Sequence, residues 1–150
     1  MTYQERQAAS NLIAGLIIFG VYFTWLLRAI DAGSFDGENA SVFAGRAICA
    51  LMFGGVIFTI VFTILFNIIV AIVTNDPDPS MVVDERDRML ELKAIRFSHG
   101  FIGLGFIACM IALALGVNLL WVLQYIVLAF AIGSLMESVL VIILYRWSAL

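Results

Sequence analysis

The run Phe97–Met136, FSHGFIGLGFIACMIALALGVNLLWVLQYIVLAFAIGSLM, is 40 residues long and holds no Asp, Glu, Lys or Arg. As a single α-helix rising about 1.5 Å per residue it would reach roughly 60 Å, twice the ~30 Å of bilayer hydrocarbon. It has to fold back on itself. The one turn signal inside it is Gly116-Val117-Asn118, because glycine can end a helix in a left-handed conformation and asparagine tolerates the same region. The run therefore predicts a helical hairpin with arms over about 98–116 and 119–145.

Two further uncharged stretches precede it. Gln7–Leu27 has 21 residues between Arg6 and Arg28, and Ala47–Asn75 is nearly all branched aliphatics, Phe and Thr from Val56 to Val73. Each is long enough to cross hydrocarbon, which takes about 20 apolar residues. Helices over about 8–30 and 43–74 follow, so the chain reads as one membrane domain, 1–150, with a linker at 75–97. The composition agrees: 63% apolar and 13% charged, against roughly 45–50% and 25% in soluble domains. So little polar surface cannot cover a fold in water, and the lipid bilayer becomes the main solvent. Two prolines and two cysteines also exclude collagen-like and disulfide-stapled chains.

Lys and Arg in short loops resist translocation and set orientation. Arg86, Arg88, Lys93 and Arg96 follow the second span and Arg146 the fourth, whereas Asp31–Val42 carries three acids and no base. The expected fold is an all-α integral membrane protein. It is a four-transmembrane-helix bundle of two in-to-out/out-to-in hairpins with cytosolic N- and C-termini and a charged cytosolic helix preceding helix three. Arg28 and Arg46, at the outer ends of their helices, are expected to pair with Asp31, Asp36 and Glu38. A cleavable signal peptide is the alternative for the first helix. Glu5 cancels Arg6, however, and Ile30-Asp31-Ala32 is a poor small-x-small site, so the helix is read as retained.

Helices in lipid approach closely where small residues allow it. Gly105, Cys109, Ala112 and Gly116 form one stripe on helix three, Ala129 and Gly133 another on helix four, and Ala50 with Gly54 a third on helix two. These serve internal packing or self-association. Cys49 and Cys109 lack C-x-x-C spacing and read as small hydrophobes rather than a redox pair. A faint repeat lays Ser10-Asn11-x-Ile13-x-Gly15-Leu16 on Ser98-His99-x-Phe101-x-Gly103-Leu104, and Asn67 on Glu137. Parallel repeats of this kind imply an axis along the membrane normal.

In Asn75-Asp76-Pro77-Asp78-Pro79-Ser80 each proline pushes the preceding aspartate out of helical geometry. A charged helix follows from Asp84, with Asp84–Arg88 and Arg88–Glu91 spaced as i, i+4 and i, i+3 pairs. It is either a solvated extension of helix three or a docking surface built from Asp84, Glu85, Arg86, Arg88 and Lys93. Asp84-Glu85-Arg86, then Lys93-Ala94 and Ser98 at the head of a membrane helix, resembles the cytosolic signature of a family of small bacterial four-helix membrane proteins of uncharacterised function. Members read D-E-R-E or D-E-R-D, then an apolar residue, then K-A, and are often encoded beside a helix-turn-helix regulator. The layout of two hairpins and a linker is similar throughout, while the motif itself spans about fifteen residues. The resemblance implies a multi-pass protein of the bacterial cytoplasmic (inner) membrane with a tie to regulation, and it supplies no catalytic residues.

Eighteen of the nineteen charged residues fall at membrane faces or in loops. Glu137 does not, and a carboxylate in hydrocarbon costs at least ~2.5 kcal/mol, which makes it a functional-site candidate. Asn67 lies at similar depth, and Asn11 and His99 begin helices one and three, so one inner pocket could gather Asn11, Asn67, His99, Ser134 and Glu137. The plain alternatives are an interhelical hydrogen-bond network or a Glu137 that snorkels to water. A lone His with no spaced partners makes neither a haem nor a zinc site, and G-x-S-x-G, H-E-x-x-H and P-loop motifs are absent from the sequence. A net charge of −3 without a basic patch argues against nucleic acid.

Three functions stay open. The first is a non-enzymatic accessory or regulatory subunit that associates with a larger membrane complex, or with copies of itself, and needs no cofactor beyond a bound lipid. The second is a small homo-oligomeric proton-coupled transporter or exporter with Glu137 as the ionisable centre. The third is a membrane enzyme acting on lipid or quinone, with Glu137 and His99 as the polar groups.

Overall fold

The computed structural model describes residues 3–74 and 85–148. They form four helices: α1 Tyr3–Asp31, α2 Ala40–Thr74, α3 Glu85–Ala114 and α4 Leu119–Ser148. All four are long and apolar enough to cross a membrane, and we describe the chain as a multi-pass integral membrane protein. The charged stretch before helix three forms one helix with the span that follows it. At about 1.5 Å per residue that helix is ~45 Å long, so its N-terminal third stands outside ~30 Å of hydrocarbon.

Both described turns are closed by a glycine in the left-handed region. Gly116, at φ 88°, donates from its backbone N to Leu113 O (3.0 Å), while Val117 N donates to Ala112 O (3.1 Å). This paired 5→2 and 6→1 pattern satisfies carbonyls that the helix end leaves open. Asn118 then accepts the Leu120 N–H on its Oδ1 (2.9 Å) and caps α4. Gly33, at φ 72°, ends α1 in the same way, with Gly33 N donating to Ile30 O (2.9 Å) and Ser34 N to Ala29 O (3.0 Å).

The main helix contacts run in the order α2, α1, α4, α3, with a lesser contact between α2 and α4. Their contacts are small-residue seams. A Cβ at Gly105 would lie 2.7 Å from Ala129 Cβ, and one at Gly133 would overlap the Ile102 side chain, so α3 and α4 approach as closely as glycine permits. Ser98 locks this seam by donating from Oγ to the Gly133 carbonyl (2.8 Å). Between α1 and α4, Gly15 receives Leu135, and Tyr22 donates to Gln124 Oε1 across 2.7 Å of buried interface. Ser10 Oγ bridges α1 to Thr63 Oγ1 on α2 (3.3 Å).

The repeat detected in the sequence returns in these bonds. Ser10 and Ser98, its matched serines, are both fully buried and each bonds the second helix of its own hairpin. The expected two-fold axis is not present. Such an axis would make an α2–α3 contact the counterpart of the α1–α4 contact, and among the described residues α2 and α3 do not touch. The central position of α1 has no match in the peripheral α3.

Candidate functional site

Gln4, Gln7 and Asn11 recur at i, i+3 and i+7, which places them on one face of the first turns of α1. Opposite stand Glu137, Ser138 and Val141 of α4, with Glu91 reaching in from α3. Together they line a cleft of about 310 Å³. Three helices converge here because their contacts are small: Ala8, Ala94 and Val141 pack with Tyr145 in one buried cluster. Two carboxylates and three carboxamides face the cleft, and among the described residues no basic side chain lines it. Its two carboxylates accept hydrogen bonds while the carboxamides and the Ser138 hydroxyl both donate and accept, a lining suited to protons, cations or water.

The α3–α4 register places Glu137 near the polar boundary. Gly133 meets Ser98, so Glu137, one turn toward the C-terminus on an antiparallel helix, stands level with about Ala94–Phe97, where α3 turns from charged to apolar. Glu137 is half-buried and opens on the cleft. By its place in α4 alone it would lie deeper, because α4 stays apolar for two turns beyond it.

Of the five residues expected to share a polar pocket, Glu137 and Asn11 meet. His99 is exposed on α3, its Nδ1 2.9 Å from its own helix's Ile95 carbonyl. Ser134 is exposed, one turn before Ser138, whose Oγ donates to the Ser134 carbonyl (3.4 Å). Asn67 is half-buried on α2, outside the cleft. Gln4, Gln7, Glu91 and Ser138 were not anticipated, although the 4, 7, 11 spacing was a readable signal. The Tyr22–Gln124 bond was not readable, because it depends on the α1–α4 register. Two buried nitrogens, Arg6 Nε and Gln124 Nε2, have no hydrogen-bond partner among the described residues, and Arg6 is 5% exposed despite its charge.

The other expected sets divide in the same manner. Glu85, Arg88 and Lys93 are exposed on the α3 extension, while Asp84 and the side chain of Arg86 lie outside the described residues. Arg88 and Glu91 form no ion pair, nor do Arg28 and Arg46 with Asp31, Asp36 or Glu38. Gly105, Cys109, Ala129 and Gly133 are buried or half-buried on α3 and α4, and Ala112 is half-buried. Gly116 belongs to the turn: nothing lies within 4 Å of its would-be Cβ, and its role is the left-handed cap. Cys49 is exposed and Cys109 buried, both as free thiols. No group of three His, Cys, Asp or Glu able to hold a metal occurs among the described residues.

No family model, curated protein or solved structure matches the chain.

Proposed function

We propose that the protein is a non-enzymatic accessory or regulatory subunit of a larger membrane complex, docked through α2. The observation that carries this reading is Asn67. Its carboxamide lies within the span of α2, half-buried, with no hydrogen bond among the described residues. Hydrocarbon offers such a group nothing to bond to, so a polar side chain on a peripheral helix is satisfied best by another helix. The exposed charges of the α3 extension add a second, orienting contact, since mixed charge contributes specificity more than affinity. The D-E-R…K-A resemblance to small bacterial four-helix membrane proteins, often encoded beside a helix-turn-helix regulator, accords with the regulatory part of this reading.

Purification from native membranes in mild detergent tests it. Wild-type protein should migrate with a larger partner, and Asn67→Leu should release it while the monomer keeps its fold. A wild type that runs as a lone monomer overturns the proposal, and one that runs as a multimer of itself replaces the partner by a second copy.

A second reading is favoured by the acidic cleft: a proton-coupled transporter with Glu137 as the ionisable centre and Glu91 beside it. Transport by proteoliposomes that is unchanged in Glu137→Gln, or absent in the wild type, eliminates it.

A further inference from the structure

On the other side of the bundle, toward the α1–α2 turn, an apolar groove of about 680 Å³ opens between α1 and α2. Its walls include Ile17, Val21 and Trp25 from α1 and Ala50, Gly54 and Phe58 from α2. Nothing lies within 4 Å of a Cβ built at Gly54, so the floor is vacant space. Trp25 stacks on Phe43 at the rim, ring centroids 5.6 Å apart. Among the described residues the one charged side chain lining the groove is Arg46, which is exposed and makes no ion pair with any of them.

The geometry points to a phospholipid with a primary-amine headgroup as the occupant of this groove. Length decides against a partner helix. Twelve residues separate Arg46 from Phe58, the last lining residue on α2, or ~18 Å of helix, close to the ~15 Å depth of one leaflet. A transmembrane partner would want a groove through both leaflets, whereas one acyl chain wants one. Charge order decides the headgroup. Moving outward from the apolar floor, the chain presents Arg46 and then, in the turn above the start of α2, the exposed carboxylates of Asp31, Asp36 and Glu38, which outnumber the single base there, Arg28 at the end of α1. Phosphatidylethanolamine offers the complementary sequence of acyl chain, phosphate, ammonium. The phosphate pairs with the guanidinium, which matches it with two parallel N–H donors, and the ammonium faces the acids. A headgroup of phosphate and glycerol alone would meet the same net negative turn without a cation of its own.

The test uses the full chain in nanodiscs of equal phosphatidylethanolamine and phosphatidylglycerol, ejected and weighed by native mass spectrometry. One phosphatidylethanolamine per chain should be retained in preference to phosphatidylglycerol. Arg46→Gln should lower retention about tenfold, as expected for loss of one charge-assisted pair. Gly54→Leu should lower it as much by filling the floor, with the melting temperature in detergent unchanged because no neighbour is displaced. Asp36→Asn with Glu38→Gln should shift preference toward phosphatidylglycerol. Equal retention of both lipids by the wild type, wild-type retention in both groove variants, or a lipid-free dimer closed over the groove overturns the proposal.

Discussion

The two most apolar helices, α2 and α4, occupy opposite places in the molecule. On α4, buried positions run the length of the helix: Val122, Gln124, Ala131, Gly133, Ser138, Val141 and Tyr145. On α2 they stop at Ala47, and between Ile48 and Val73 no residue is buried. In water the more hydrophobic helix would sit inside. In lipid it has no reason to, because hydrocarbon tails solvate Ile and Phe as well as protein does. What moves α4 to the centre is the set of residues that lipid serves poorly or that let a neighbour come close: Gln124, Ser138, Gly133 and Ala129. The very apolar α2 remains at the edge.

The comparison can be broken most decisively at Gly133. Its missing side chain is where Ile102 sits, so Gly133→Leu should cost about 3 kcal/mol or more, read as loss of resistance to denaturation in detergent. A stable variant would mean that the α3–α4 seam is not as close as described. Next comes the buried polar bond. Tyr22→Phe leaves both ends of the Gln124 amide unpaired and should cost between ~0.6 and ~1.7 kcal/mol. Tyr22→Phe with Gln124→Leu should regain that loss, since replacing both partners of a buried pair removes the unpaired group as well. An additive double variant would show that the two residues do not meet. Ser98→Ala removes one interhelical bond, and a destabilisation near ~0.6 kcal/mol is expected in the same assay. The smallest effect belongs to α2. Gly54→Leu should change stability by less than ~0.5 kcal/mol, and a large loss there would show that α2 is packed as α4 is.

Much of the fold was legible. The 40-residue uncharged run required a reversal, and Gly116 and Asn118 are where it occurs because few other residues can hold a left-handed cap and then cap the next helix. The charged segment before helix three could be read as either a solvated extension or a docking surface, and it is helical and continuous with the span. The site was less legible. Glu137 was conspicuous as a charge in an apolar run, and Asn11 joined it, but Asn67, His99 and Ser134 point elsewhere. Depth counted along one helix ignores how its neighbour is slid against it, and the α3–α4 register brings Glu137 level with the polar end of α3. Gln4 and Gln7 went unnoticed because uncharged polar residues near a helix start ordinarily face water.

From the amino-acid sequence alone follow the solvent, the number of spans and the reversal at Gly116–Asn118. These are local matters, since in hydrocarbon each segment must satisfy its own backbone or not cross at all. The order α2, α1, α4, α3, the meeting of Tyr22 with Gln124, the cleft that joins Glu137 to Glu91, and the leaflet-deep groove beside Arg46 were decided by tertiary structure. Lipid covers every apolar face equally well, so hydrophobic pattern does not choose neighbours. That choice rests on close approach at a few small residues and on single hydrogen bonds, both of which exist only once the helices are placed side by side.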